Sequence, residues 1–192
     1  MFKKIIQEEK LFKSFSWIRE DKKRHCYAAM KCMHEFISKN FDYLYDILSD
    51  EIKRNTTREK YIDFLKQFHT IWSNFSEEKQ DIIRQAIIYH DFYYTQNKDD
   101  NRLHGVFGAE PAKQNLKSKG KSKEEIDKIT KAIKYHSITS DLGAHFLLKD
   151  LENVDSDTMS TIIFIELVDN MARFDENKKL VSRQTTADLL HL

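Results

Sequence analysis

A histidine and an aspartate stand side by side in the apolar stretch AIIYHDFYY, Ala86 to Tyr94. Ile83, Ile87 and His90 follow each other at intervals of three or four residues, so in a helix the imidazole shares the apolar face. Residues on such a face are normally apolar, because a buried polar group is costly unless it finds a partner. The spacing therefore predicts that His90 points into the interior.

Three further apolar stripes carry one polar group each. His25 lies on a stripe of small and apolar residues, His136 ends a stripe of isoleucines, and Asp169 follows Ile162 and Ile165 at the same spacing. Four predicted helices therefore each direct one imidazole or carboxylate into the core.

The carboxylates of Asp91 and Asp169 restrict what this interior can contain. A buried carboxylate without compensation changes its ionisation rather than stay charged, so both need a cation or strong donors nearby. Neutral imidazoles cannot neutralise two carboxylates, whereas a divalent ion can. The mixed nitrogen and oxygen donors suit Fe, Mn, Co, Ni or Zn, with Mg also admissible, and they lack the thiolates of a structural zinc site. We expect a metal with open coordination positions.

Because His90 and Asp91 are adjacent, they can both face one metal ion only where the backbone departs from a regular helix. Neighbouring residues lie about 100° apart around a helix of ~3.6 residues per turn, so an undistorted helix does not aim both at one ion. A helix end removes this restriction. The polar stretch Gln96 to Asn101 predicts an end just beyond the pair.

Helices are the elements that must position these groups. The 192 residues include only four glycines and one proline, too few for the turns of a many-stranded protein. Apolar residues return every three or four positions through residues 25–48, 57–72, 78–92, 108–116, 123–136 and 157–174. We predict an all-α, single-domain helical bundle over residues 20–192, with residues 1–19 as an N-terminal helical extension.

Two local signals refine this pattern. Ser122 followed by Glu125 predicts a capping box at the start of a helix. The β-branched stretch TIIFIELV, Thr161 to Val168, is compatible with a buried strand as well as a helix. We interpret it as helix, because one strand without a partner cannot satisfy its backbone.

The composition argues against several classes of partner. Lys and Arg number 32 against 31 Asp and Glu, so the net charge favours neither a nucleic-acid nor a membrane partner. The N-terminus lacks the apolar core of a secretion signal, and no apolar run approaches the ~20 residues that span a bilayer. Cys26 and Cys32 do not have the spacing of a zinc or redox pair. We expect a cytoplasmic protein with reduced thiols.

The order His25, then His90-Asp91, then Asp169, with each group on a helix, resembles the H…HD…D signature of the HD superfamily of metal-dependent phosphohydrolases. The likeness covers residues 20 to 175. The ordered set is more specific than the adjacent pair alone, which is a weak motif.

Two longer segments extend this resemblance. HGVFGAEPAKQNLKSKGKSKEEIDKITKAIKYHS, His104 to Ser137, is similar to the H-x-x-x-G-A…L…G-x-[ST]…A-I-x-x-H-[ST] segment of small bacterial members. ELVDNMARFD, Glu166 to Asp175, resembles their closing A-D-x-x-[DA]-R stretch.

The resemblance implies an HD-type helical bundle whose metal is bound by four residues, His25, His90, Asp91 and Asp169. It also implies that His104 and His136 either complete a second metal site or contact the substrate phosphate. His34 competes with His25 as the first ligand, and we prefer His25 because the residues after it fit the family helix. The histidines expected to have no part in the site are His69, His145 and His191.

The implied activity is hydrolysis of a phosphoester or pyrophosphate bond in a nucleotide or another small phosphorylated metabolite. Asp91 is the candidate to hold the attacking water or accept its proton. His104, His136 and Arg173 are the candidates to neutralise charge on the phosphate oxygens. The lysine-rich segment Lys113 to Lys123 is either a solvated loop or a cationic lip that attracts phosphate.

Two interpretations without catalysis stay open. The chain could be a degenerate HD module that binds a nucleotide or a protein partner without hydrolysis. It could also be a helical interaction protein whose polar core residues only hydrogen-bond to each other. A nuclease is disfavoured by the neutral net charge.

Overall fold

The computed structural model describes residues 20–48, 50–93, 103–136 and 154–177. Within these ranges the chain forms helices and no strands, which confirms the all-α prediction. The predicted extension, residues 1–19, lies outside them. The helices of the described ranges are α1 (Glu20–Ile37), α2 (Phe41–Asp46), α3 (Asp50–Asn55), α4 (Arg58–Asn74), α5 (Glu77–Tyr89), α6 (His104–Ser118), α7 (Lys123–Tyr135) and α8 (Ser156–Asn177).

The apolar segment 25–48, which the periodicity predicts as one helix, is divided in the structure. α1 ends at Ile37, Lys39 adopts a left-handed conformation with φ of 60°, and α2 begins at Phe41. Phe36 and Leu44 are buried on either side of the break. Because apolar spacing continues through the turn, periodicity alone does not reveal it.

Side-chain caps define the starts of several helices. Thr57, Ser76 and Ser122 precede α4, α5 and α7, and each accepts a hydrogen bond from the backbone N–H three residues later. The Glu125 carboxylate accepts from the Ser122 backbone N–H at 2.9 Å, so the predicted capping box is confirmed. Gly120, with φ of 73°, follows the end of α6 in the conformation that favours glycine.

α8 is the apolar axis of the bundle and packs against α1, α5 and α7. The stretch TIIFIELV lies within α8, which confirms its interpretation as helix. Its residues are buried on more than one face, including Ile162, Phe164 and Leu167. A helix surrounded by three others needs no polar face, and this explains why its sequence resembles a buried strand.

Aromatic rings from α1 and α4, together with Phe75 after α4, close around Phe164 of α8. The Phe164 ring centroid lies 6.1 Å from that of Phe36 and 5.7 Å from those of Phe68 and Trp72. The Phe75 centroid is 5.8 Å away. These tilted and edge-on contacts are the favourable arrangements of aromatic pairs, and they hold α8 in the centre of the fold.

Replacing Phe164 with alanine should destabilise the protein by about 3–5 kcal/mol, because it removes a fully buried ring and leaves a cavity. Urea unfolding followed by circular dichroism measures this change. The matched control is Phe107→Ala, because Phe107 is 39% exposed and its loss should cost less than about 1 kcal/mol. Equal effects of the two substitutions would contradict the central role of Phe164.

Candidate metal centre

The predicted helix end beside Asp91 is present. α5 ends at Tyr89, His90 occupies the C-cap position, and Asp91 follows in a turn. The Nδ1 of His90 lies 2.6 Å from the carbonyl oxygen of Ile87. A carbonyl can only accept, so Nδ1 carries the proton and the lone pair of Nε2 is directed away from the helix. The end of the helix therefore frees both side chains to face one interior site.

The end of α7 repeats this arrangement. His136 is its C-cap residue, and its Nδ1 lies 2.6 Å from the carbonyl oxygen of Ile133. The sequence contains a signal for this equivalence, because AIIYH, residues 86–90, and AIKYH, residues 132–136, share the pattern Ala-Ile-x-Tyr-His. That shared pattern identifies His136 as the counterpart of His90 without recourse to any family.

One group of donor atoms joins α1, α5 and α8. The Nε2 of His25 lies 2.6 Å from Oδ1 of Asp169, and the Nε2 of His90 lies 3.5 Å from the same oxygen. All three residues are buried, and their donor atoms lie within 4.8 Å of one another. We call this group the first triad.

A second group joins the end of α5 to α6 and α7. The Nε2 of His104 lies 3.1 Å from Oδ1 of Asp91, and the Nε2 of His136 lies 3.8 Å from that oxygen. The two imidazole Nε2 atoms are 3.0 Å apart. Asp91, His104 and His136 are buried and form the second triad.

Asp91, a member of the second triad, also approaches the first. Its Oδ1 faces the second triad, whereas its Oδ2 lies 3.6 Å from the Nε2 of His25 in the first. The Oδ1 atom is also 4.0 Å from the Nε2 of His90. With one oxygen toward each group, Asp91 could contribute a ligand atom to a metal ion held by either of them.

The surroundings of Asp91 and His136 favour an ionised carboxylate and a neutral imidazole at these two residues. Burial by itself raises the pKa of Asp91, but the positive charge that His90 and His104 can carry, together with the hydrogen bond from His104, outweighs it and holds the pKa well below its usual value. Burial lowers the pKa of His136 to about 4. At neutral pH Asp91 is therefore charged and His136 is neutral, which are the forms that bind a metal.

The donors fit a metal ion in their orientation as well as their chemistry. His90 is fully buried, and its Nε2 has no hydrogen-bond partner in the described part of the chain. An unpaired buried nitrogen lone pair is costly, and a metal ion would satisfy it. In metal-binding histidines the second ring nitrogen usually donates to a carbonyl, as Nδ1 does here in His90 and His136. These buried groups could hold a metal ion.

Gly105 allows α6 to approach the end of α7. A Cβ atom on this residue would lie 2.5 Å from the carbonyl oxygen of Ile133 and 3.2 Å from Nδ1 of His136. Only glycine therefore permits the close contact that brings His104, the preceding residue, beside His136.

The remaining predicted residues are distributed as follows. His25 belongs to the first triad, whereas His34, also on α1, belongs to neither triad. The Nε2 of His69 lies 3.4 Å from the carbonyl oxygen of Ile37 at the end of α1, which is a structural contact. Arg173 lies on α8, but its side chain is outside the described part of the structure, as are His145 and His191.

The segment Lys113 to Lys123, predicted as either a solvated loop or a cationic lip, is partly helical. Residues 113–118 belong to α6 rather than to a loop. Lys121 lies 2.8 Å from carboxylate oxygens of both Asp81 and Glu125, which offset its charge. Lys119 donates to the Tyr89 hydroxyl at 2.7 Å. These two lysines therefore join neighbouring elements.

In comparisons with known proteins, no family model, curated protein or solved structure matches this chain. None of the helices in the described ranges has the length and apolar character needed to cross a membrane. The HD family assignment and the roles of the site residues stay predictions.

We expect Gly105→Ala to weaken metal binding at the second triad at least about tenfold, the loss typical when the support of a ligand is disturbed. The added methyl group would force α6 away from the end of α7 and separate His104 from His136. Elemental analysis and calorimetric titration with Zn²⁺ measure the number of bound ions and their affinity.

The matched control is Gly108→Ala on the same helix. A Cβ there would meet only ordinary contacts, the shortest at 3.5 Å to Tyr93. This variant should retain both ions and gain roughly 0.5–1 kcal/mol of stability from the better helix former. Equal metal content in the two variants would show that close packing at Gly105 does not support the site.

Proposed function

We propose that the protein is a metal-dependent phosphohydrolase of the HD type, which cleaves a phosphoester or pyrophosphate bond in a small phosphorylated metabolite such as a nucleotide. The observation that carries this proposal is that Asp91, a member of the second buried triad, directs its other carboxylate oxygen toward the first. Paired metal sites in which one carboxylate serves both ions are well suited to in-line displacement at phosphorus, because they can stabilise both the attacking and the leaving oxygen.

The donor set supports a transition metal. Four imidazoles and two carboxylates converge in the two triads, and neither triad includes a thiolate. Mixed nitrogen and oxygen donors suit Fe, Mn, Co, Ni or Zn. When bound, such ions supply Lewis acidity, which polarises a phosphoryl oxygen and lowers the pKa of water.

The N-terminus of α6, which carries His104, also suits an anionic substrate. α6 begins at His104 with neither a side-chain cap nor an acidic residue in its first turn. The partial positive charge at a helix N-terminus favours phosphate groups. This charge adds to the metal site and does not by itself define the substrate.

The residues of the chain then have distinct roles. Asp91, which stays ionised at neutral pH, is the candidate to hold the attacking water or to accept its proton. His104 and His136 complete the second triad and are candidates to neutralise charge on the phosphate oxygens. Arg173, one turn beyond Asp169, is the candidate to neutralise charge on the phosphate oxygens.

One observation argues against a merely structural role for the cluster. In a network of self-satisfied hydrogen bonds every buried polar atom has a partner. The Nε2 of His90 has none in the described part of the chain. A metal ion at the first triad would supply the partner that this nitrogen lacks.

His25→Ala should empty the first triad and lower turnover of phosphoesters by about a thousandfold, because the loss of a bound metal removes several kcal/mol of transition-state stabilisation. The test combines elemental analysis of protein purified without chelators with release of inorganic phosphate from a nucleotide and phosphoester panel. Chelators should abolish turnover, and the best-matching metal should restore it.

His34→Ala is the matched control, because His34 lies on the same helix outside both triads and the variant should keep metal and activity. Bound metal without turnover on the whole panel would favour the binding module that lacks hydrolysis. Two results together would refute the metal centre. The wild-type protein would bind no metal, and the Asp91→Ala, Asp169→Ala double variant would retain full stability.

A further inference from the structure

Lys79 is a buried charge outside the metal centre. It occupies the first turn of α5, where the helix dipole disfavours a positive charge, and is only 7% exposed. Burial lowers the pKa of its ammonium group despite the nearby carboxylate. An apolar residue of similar size would avoid these costs, and such replacements of buried ion pairs often stabilise proteins.

The ammonium group connects α5 to the beginning of α8. Its Nζ lies 2.8 Å from Oδ1 of Asp157 and donates to the hydroxyl of Thr161 at 2.7 Å. It also donates to the backbone carbonyl of Asp157. Three acceptors on α8 therefore fix one end of α5.

The same two helices meet again at the metal centre, where His90 and Asp169 supply donors to the first triad. From Lys79 to His90 is 11 residues and from Asp157 to Asp169 is 12, by subtraction of their numbers. At a rise of ~1.5 Å per residue these lengths are about 17 and 18 Å. α5 and α8 are thus parallel neighbours with a polar contact at each end.

Between these ends, Ile83 and Ile87 of α5 and Ile162 and Ile165 of α8 are buried. Hydrophobic burial is not directional, so it determines poorly how far one helix is displaced along the other. A displacement by one residue is about 1.5 Å, whereas metal–ligand distances tolerate about 0.2 Å. The first triad needs a register that apolar packing alone does not specify.

We infer that Lys79 is a positioning residue for the first triad: its contacts with Asp157 and Thr161 fix the register of α5 against α8 and thereby align His90 with Asp169. Specification of register is the best-attested use of a buried polar group. This role rests on the proposed metal centre. It predicts little effect on the second triad, because α8 carries none of the residues of that triad.

The test is Lys79→Met, which keeps the length of the side chain and removes the N–H groups that donate its hydrogen bonds. In a His104→Ala background, where the first triad keeps all three donors, Co²⁺ affinity should fall at least tenfold and the d–d absorption spectrum should change. In a His25→Ala background, Co²⁺ affinity of the second triad should stay within twofold. Circular dichroism must show folded protein under the titration conditions.

The matched control is Lys66→Met, because Lys66 pairs with Asp63 on α4, which carries no donor. It should leave both affinities unchanged. Thr161→Val provides a second variant that removes one acceptor at constant shape, and a weaker loss confined to the first triad is expected. If Lys79→Met does not fold, Thr161→Val tests the positioning role, again by whether the loss of Co²⁺ affinity is confined to the first triad.

Unchanged Co²⁺ binding in Lys79→Met, or an equal loss at both triads, would overturn the positioning role. Failure of the wild-type protein to bind Co²⁺ would instead overturn the metal centre on which the proposed function depends. The two failures are distinguishable, because the first requires normal binding by the wild-type protein.

Discussion

Two carboxylates in an apolar interior are the constraint on which the rest of this structure depends. Asp91 and Asp169 are almost completely buried, and an isolated buried charge is too costly to persist. Each is surrounded by imidazole nitrogens that come from distant parts of the chain. The bundle must therefore bring these imidazoles and carboxylates together from helices that otherwise pack through apolar contacts.

The ends of helices meet this requirement. The last carbonyl groups of a helix have no partner within it, and those of Ile87 and Ile133 accept the Nδ1 protons of His90 and His136. One contact thus satisfies an unpaired carbonyl and fixes the orientation of a donor nitrogen. The negative ends of two helix dipoles also face the centre, where they favour a cation.

Polar contacts and apolar packing both contribute to the positions of the histidines and aspartates in the two triads. Aromatic rings around Phe164 hold α8 in the middle of the bundle, and close approach at Gly105 joins α6 to α7. Neither contact specifies how far α5 is displaced along α8. The buried Lys79 supplies directional bonds at the end of these helices remote from the donors.

Sequence alone determined the helical class, the capping box at Ser122 and the inward direction of His25, His90, His136 and Asp169, because these depend on local periodicity and side-chain chemistry. It did not reveal the break at Lys39, since apolar spacing continues through that turn. It also did not decide which donors meet. The division into two triads, the approach of Asp91 to the first and the pairing of Lys79 with Asp157 depend on contacts between residues far apart in the chain, and only the packing of the helices establishes those contacts.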